Sequence, residues 1–508
     1  MNNKFFITTP IYYVNDVPHI GHTCTTIAAD ILARHHKLLG EDVFFLTGTD
    51  EHGAKVAEEA KKANLTPQEF CDKVSKTFSD IWPKLNIQYD YFIRTTNLQH
   101  EKIVQELIQK IYDNGDIYKA EYVGLYCVGC EKFITEDELV DGKCPLHPNK
   151  EIEKQKEENY FFKLSKYAPI LVKAIEDEND KNHYQISPEA KKQEVLSKLK
   201  AGVPDLSISR ANVPWGIPIP WDKNQTIYVW VDALINYYSA LKINQKEDFW
   251  PADLHLLGKE ILWFHAVIWE AMLISAEISV PKEVFTHSFY MIDGQKMSKS
   301  LGNVISPQQL IEKFGVDGTR YLIASSFPRD NDNDVSWEKF KEKYNADLAN
   351  GLGNLVARVL TLAEKYCGGT VPVDVKNPFD IPDFDLIKVE RSIGTSYLEK
   401  FDETNLSDCL TEIWKFINAC DQYIDQEKPW ELGKNHDPKL NQVIYNLLEC
   451  LHQIAWMLFP FMPDTAKEIG RRLGIQTILS DNPQLKDNWN LIKPGNKIET
   501  GSNLFPRL

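Results

Sequence analysis

Two histidines three residues apart, His19 and His22, stand where a strand-like apolar run (residues 4–9) and a proline-bounded loop (residues 10–18) give way to a helical pattern from Thr23 to Leu39 that stops at Gly40. That order constrains the fold more than any other feature of the chain. A strand feeding a helix through a ligand-sized loop is the building unit of a parallel α/β sheet. The first helical turn offers N–H groups without helical partners and the positive end of the helix dipole, and both favour an anion. Residues i and i+3 share a helix face, so the two imidazoles lie on one side. Gly21 between them lacks a Cβ and lets a flat ring approach the backbone. The arrangement suits a nucleotide, its base over the glycine and its phosphates near the imidazoles. Taken alone, it is equally a helix start with surface histidines.

A second basic cluster lies far downstream. Lys296, Met297, Ser298, Lys299 and Ser300 form a run between Gly294 and Gly302, and two lysines with two serines on a glycine-bounded loop can grip a triphosphate. In this order and at this separation the two clusters resemble the HIGH and KMSKS signatures of class I aminoacyl-tRNA synthetases. The resemblance implies that His19, Gly21, His22, Lys296, Ser298 and Lys299 bind ATP with its Mg2+. Within that set His19, His22, Lys296 and Lys299 would be catalytic.

The bulk numbers bound this reading without carrying it. A chain of 508 residues has room for several domains, and its charged fraction of 26% is ordinary for a soluble protein. The net charge of −16 argues naively against nucleic acid. A global sum does not exclude a local basic stripe, however, and an acidic RNA binder would rely on shape, stacking and a few placed cations. Nine cysteines over this length are too sparse for a disulfide scaffold. No signal-peptide or transit pattern precedes the first strand, and the most apolar helical run, 261–276, is too short to span a membrane comfortably. A cytoplasmic protein without a membrane partner is the expectation.

Five segments follow from the pattern. Residues 1–115 alternate strands and helices as the first half of a Rossmann-type sheet; Val43–Thr47 forms a second strand whose end carries Asp50. A carboxylate there can receive a ligand ammonium, or simply cap a helix. Residues 116–213 read as an insertion. It carries Cys127 and Cys130, then Cys144 and His147, two C-x2-C/H knuckles that fit one structural tetrahedral Zn2+. Arg210, at its end, faces either the site or the surface. Residues 214–290 return to the sheet. Residues 227–232 look like a buried strand followed by a helix from Ala233 to Leu241, and aromatics at 230, 263 and 264 with His265 fall where an apolar pocket would open. Residues 291–340 carry the lysine loop and a connector. Its acidic run 330–334 fails as a calcium loop, because Val335 and Lys341 stand where Gly and Glu are needed. Residues 341–508 are helical almost throughout, as an α-helical bundle. Asn354 and Arg358 share one helix face there, and Trp430 follows Pro429 at a helix end. A ring near Arg and Asn suits single-stranded base recognition, but a core tryptophan beside a surface arginine gives the same letters.

Within class I, nearly the whole length is similar to the methionyl subfamily: the start through His22, the Thr47–Gly53 run, the single zinc knuckle, residues 228–238 and 259–265, the lysine loop, and the patches at 354–358 and 428–430. This resemblance implies an α/β fold, a Rossmann-type parallel sheet split by a zinc-knuckle insertion and followed by an all-α anticodon-binding bundle. It implies a methionine side-chain pocket of Ile11, Tyr13, Trp230, Ala233, Leu234, Tyr237, Ile261, Phe264 and His265, with Asp50 on the α-ammonium. Asn354, Arg358 and Trp430 would read the anticodon of tRNA(Met). Some family members have proline where Leu234 stands. The insertion, about 100 residues, is the size of a small domain and leaves no room for the editing domain of leucyl, isoleucyl and valyl relatives. With no C-terminal dimerisation domain, a monomer is expected. Two other classes stay open: a nucleotidyltransferase activating a small acid without tRNA, and a non-catalytic RNA-binding paralogue. The first would not need the helical half; the second should show a damaged signature.

Overall fold

The computed structural model describes residues 4–479 and 492–508, apart from 16, 130–131, 135–138, 146, 212, 293, 297–302, 374 and 377–384. Its centre is a six-stranded sheet built on β1 (Lys4–Tyr13), β2 (Asp42–Asp50) and β3 (Tyr91–Arg94), in the order β3, β2, β1, then Leu254–Gly258, Glu283–His287 and Gln185–Ser187. Every pairing is parallel. The chain lays β2 and β3 on one side of β1 and the later strands on the other, the outermost of them, Gln185–Ser187, first. The sheet therefore has a switch point between β1 and Leu254–Gly258, where α/β folds hold their ligands at the strand carboxyl ends. Gln185–Ser187 lies inside the span read from sequence as the insertion, yet it forms the sixth strand. Its three residues give too short an alternation to register as a strand.

Helix α1 (Ile20–Leu38) follows β1 and buries Ile27, Ile31 and Leu38. It ends at Leu39 because Gly40 adopts φ +84°, a conformation only glycine takes cheaply. The insertion builds a four-stranded antiparallel sheet around the long pair Ile117–Cys127 and Ile152–Phe162. The expected strand at 227–232 is corrected here: the strand ends at Ile227 and a helix starts at Val229. An apolar run buried on several sides reads alike as strand or helix, and only its length decides. The predicted helix at 261–276 is present, but its centre, Phe264–Trp269, is π-helical.

Helices from Trp337 onward form the bundle. A buried ionic node joins it to α1. Arg320, fully buried in helix Pro307–Ser325, binds Asp30 of α1 at 2.7 Å and donates to the carbonyls of Pro460 and Phe461 at 2.9 and 2.8 Å. Burial alone would raise the Asp30 carboxyl, but Arg34 and Arg320 together hold it below the usual range. Among the described residues no helix is long and apolar enough to cross a membrane.

Candidate active site

The nucleotide end starts with an unusual helix cap. His19, in extended backbone, is the N-cap of α1, and its Nδ1 accepts the Gly21 N–H at 3.1 Å. The Nδ1 of His22 accepts the His19 N–H at 3.3 Å, and the two rings stack at 3.8 Å. Two imidazoles thus make a capping box, a task usually given to Ser/Thr and Glu. Burial, helped by the neighbouring His19, pushes the His22 pKa well below its usual value. A neutral ring whose Nδ1 accepts carries its proton on Nε2. His22 is therefore a fixed N–H donor.

The chain just after the second signature comes to the start of α1. Lys296 ends a hairpin whose first strand, Tyr290–Ile292, pairs Met291 with Lys296. The Lys296 side chain, Ser298 and Lys299 lie outside the described residues. The chain leaving that loop is fixed to the first: the Ile20 N–H donates to the Ile305 carbonyl at 2.9 Å. Thr25 of α1 also bonds His287 at 2.8 Å, at the end of the neighbouring strand. The acidic turn that fails as a calcium loop braces this corner, with Asp332 on Lys259 and Asp334 on Lys339.

Asp50 is buried at the carboxyl end of β2, in register with Tyr13 of β1. The loop behind it is clamped. Glu51 is fully buried, accepts Nε and Nη2 of Arg94 at 2.7 and 2.9 Å, and its carbonyl accepts the indole N–H of Trp215 at 2.6 Å. Across the switch point, helix Val229–Ile243 presents Trp230, Ala233, Leu234 and Tyr237, and the π-helical stretch presents Phe264 and His265. Trp230 stacks on Phe264 at 4.0 Å with 12° between planes. Trp263 instead turns to the insertion, with Lys198 over its ring at 5.8 Å. His265 Nδ1 bonds the Ile261 carbonyl at 3.0 Å, and its Nε2 bonds the Tyr237 hydroxyl at 2.7 Å. Burial lowers the His265 pKa to about 4, with the Ile261 carbonyl opposing it. A neutral ring donating from Nδ1 must accept at Nε2, so the tyrosine hydroxyl donates to it. Ile11, half-buried, packs against the same core.

In the knuckle, the donor atoms of Cys127, Cys144 and His147 lie within 4.8 Å of one another, and both cysteines are buried. Cys130 lies outside the described residues. Gly129 is needed for close approach: a Cβ there would meet the His147 ring at 2.4 Å. On the bundle, Trp430 is 42% exposed and the Arg358 guanidinium lies 5.7 Å from its ring centroid. Asp425 and Asp421 hold that guanidinium at 2.7 and 3.4 Å. Asn354, exposed one turn earlier, lines a polar groove with Asn350 and Asn503. Arg210 proves buried, its guanidinium 4.2 Å from the Tyr228 ring centroid.

Sequence reasoning missed His52, Asp232 and His100, which meet in the core behind the pocket. The available signal was the histidine two residues after Asp50.

The comparisons with known proteins agree with this geometry. The family described as "tRNA synthetases class I (M)" matches residues 5–154 and 147–360, and "Anticodon-binding domain of tRNA ligase" matches 393–500. Methionine–tRNA ligase of Caldanaerobacter subterraneus is 44% identical over 100% of this chain and 79% of its own length. That of Thermotoga maritima is 44% identical over 99% and 80%. The solved Mycobacterium tuberculosis methionyl-tRNA synthetase in complex with methionyl-adenylate is 35% identical, covers 99% of this chain and 100% of its own, and superposes with a TM-score of 0.91. The chain belongs to the methionyl family of class I aminoacyl-tRNA synthetases.

Proposed function

We infer that this chain is a methionine–tRNA ligase: it activates L-methionine with ATP to methionyl-adenylate and transfers the methionyl group to the 3′ end of tRNA(Met), releasing AMP and diphosphate. The observation that carries the reading is the backbone bond from Ile20 to Ile305, which ties the helix start that bears His19 and His22 to the chain just after the lysine loop. The test is ATP–pyrophosphate exchange across a panel of amino acids, then charging of tRNA. Exchange should be selective for methionine; selectivity for another amino acid, or exchange without charging, would overturn it.

The residues divide the work. Asp50 takes the α-ammonium. Trp230, Phe264 and their neighbours enclose the thioether, for which ring contacts are favourable. Tyr237 already gives its hydroxyl proton to His265, so that proton is not available to a hydroxylated or charged side chain. The methionine carboxylate attacks the α-phosphate in line and diphosphate leaves. His19 and His22 meet the growing phosphoryl charge as N–H donors, and Lys296, Ser298 and Lys299 meet it from the other loop; this is fixed electrostatic stabilisation without a covalent enzyme intermediate. Part of the triphosphate charge would be neutralised by Mg2+ bound with ATP. A ribose hydroxyl of tRNA then attacks the adenylate carbonyl and AMP leaves. Asn354, Arg358 and Trp430 read the anticodon.

Residues 1–115 and 214–290 act as the catalytic halves, 116–213 as the connective insertion, 291–340 as the KMSKS connector and 341–508 as the anticodon unit. Cys127, Cys130, Cys144 and His147 hold one structural Zn2+; four protein ligands leave no open position for chemistry. The close approach that Gly129 permits supports that ligand set. Metal analysis of the purified protein should find one Zn2+ per chain, and chelation should loosen the insertion; two metals or none would refute the count. Every residue assigned above lies on one chain, so the reading takes the working unit to be a monomer, in the cytoplasm.

A further inference from the structure

Methionine must be held at two ends at once. Asp50, at the end of β2, is read above as the anchor for its ammonium, while the walls around its side chain stand on helix Val229–Ile243. The span between those ends is fixed covalently in the ligand. The protein must therefore fix the same distance between two separate elements, and a drift of about 1 Å in such a site can cost a hundredfold.

One buried array joins them. His52, two residues after Asp50, bonds Asp232 Oδ2 through Nδ1 at 2.7 Å. Asp232 is 1% exposed and stands in the first turn of the pocket helix, directly before Ala233. Its other oxygen bonds His100 Nε2 at 2.8 Å, and His100 Nδ1 bonds Ser239 Oγ at 2.6 Å, seven residues further along the same helix. His100 belongs to the helix that follows β3. The pocket helix is thus pinned at two heights, once to the Asp50 loop and once to the element beside it.

None of these groups is needed for phosphoryl chemistry, and a buried carboxylate is costly wherever packing alone would do. We infer that His52, Asp232 and His100 are a positioning relay that sets the distance between the ammonium anchor and the side-chain pocket, and so sets the affinity for methionine. The inference rests on the reading of Asp50 as that anchor.

The array also has a defined charge. Burial works against an imidazolium at His52, but Asp232, Glu101 at 3.7 Å and Glu51 outweigh it and raise its pKa. Asp232 is held below the carboxylate range despite its burial, by His52 and His100. Arg94 neutralises Glu51 from the far side.

The experiment is methionine-dependent ATP–pyrophosphate exchange in the full chain. In His52→Ala, KM for methionine should rise about tenfold or more while kcat and KM for ATP stay within about threefold. His52→Asn, which returns an N–H near the Nδ1 position, should recover most of the loss. Asp232 and its acidic neighbours raise the His52 pKa, so any pH dependence of KM for methionine that comes from His52 should move to lower pH in Asp232→Asn. If His52→Ala does not fold, Ser239→Ala removes only the outer bond and should still raise KM for methionine severalfold. Unchanged KM in a folded His52→Ala variant, or an asparagine no better than alanine, overturns the relay. Asp50→Asn separates the two readings. An unchanged KM in that variant sinks the anchor, whereas a raised one beside a normal His52→Ala sinks the relay alone.

Discussion

Replacing His22 with alanine is expected to slow methionine-dependent ATP–pyrophosphate exchange by about 10²–10³, the usual loss when one preorganised donor to a developing oxyanion is removed. His22 is neutral and half-buried, with Nδ1 turned to the His19 N–H, so what it offers the phosphates is a directed N–H, not a charge. His22→Gln, which keeps a side-chain N–H, should be less damaged than His22→Ala. The fold should survive either change. Losing half of a capping box costs about 1 kcal/mol, and α1 is held along its length by buried Ile27 and Ile31 and by the Asp30–Arg320 pair. Thermal melting should stay near that of the parent while exchange falls. Near-normal exchange in a folded His22→Ala variant would remove it from the catalytic set.

The same burial makes a pH prediction of definite sign. His22, His265 and His287 all have pKa values depressed in the folded state, the last two to about 4, chiefly by burial. The folded chain then binds fewer protons than the unfolded chain below about pH 6.5, so stability falls as the pH drops through that value and is indifferent to these groups above it. These buried histidines should therefore tie acid inactivation to unfolding, visible as a melting temperature that declines together with activity.

How much of this was legible in the letters depends on the range over which each interaction acts. Local order was readable. The helix after β1 and its stop at Gly40 follow from short-range backbone chemistry, and each stands where the residues put it. The strand expected at 227–232 was misread because Val229–Asp232 is apolar or buried on every side once packed. Periodicity carries no signal there. The short strand Gln185–Ser187 exists only through its partner Glu283–His287, a hundred residues away. The family was legible because its two signatures stand in the chain, and the comparisons bear the family out. The relay behind them was not, because a buried aspartate between two histidines has no local pattern: its members are separated by 180 and 132 positions. Trp263 was misplaced for a related reason. Aromatic identity marks a pocket region, but only the turn of the helix decides that Phe264 faces Trp230 while Trp263 faces Lys198.

Replacing Trp430 with alanine is expected to raise KM for tRNA by about 5- to 150-fold, corresponding to the 1–3 kcal/mol that one base–aromatic stack supplies, while leaving methionine activation intact. The separation of effects follows from where the ring stands. Trp430 sits just after Lys428, which turns the chain with φ +45° between two helices, so its indole projects from the bundle surface and is 42% exposed. At 42% exposure more than half of the ring is still covered by the bundle, so its loss should also lower the melting temperature, and intact methionine activation is what separates that cost from tRNA binding. The Arg358 guanidinium, 5.7 Å from the ring centroid, is held by Asp421 and Asp425. Those two carboxylates fix the arginine's plane and partly cancel its charge. Recognition at this face should therefore depend on stacking and on the direction of the guanidinium donors more than on net attraction. Arg358→Lys keeps the charge and loses the planar fork, so it should also raise KM for tRNA, and by more than salt screening alone does to the parent. Charging kinetics beside pyrophosphate exchange decide the matter: equal loss of both activities in Trp430→Ala would mark the ring as structural, and no loss of either would remove it from the tRNA-binding face.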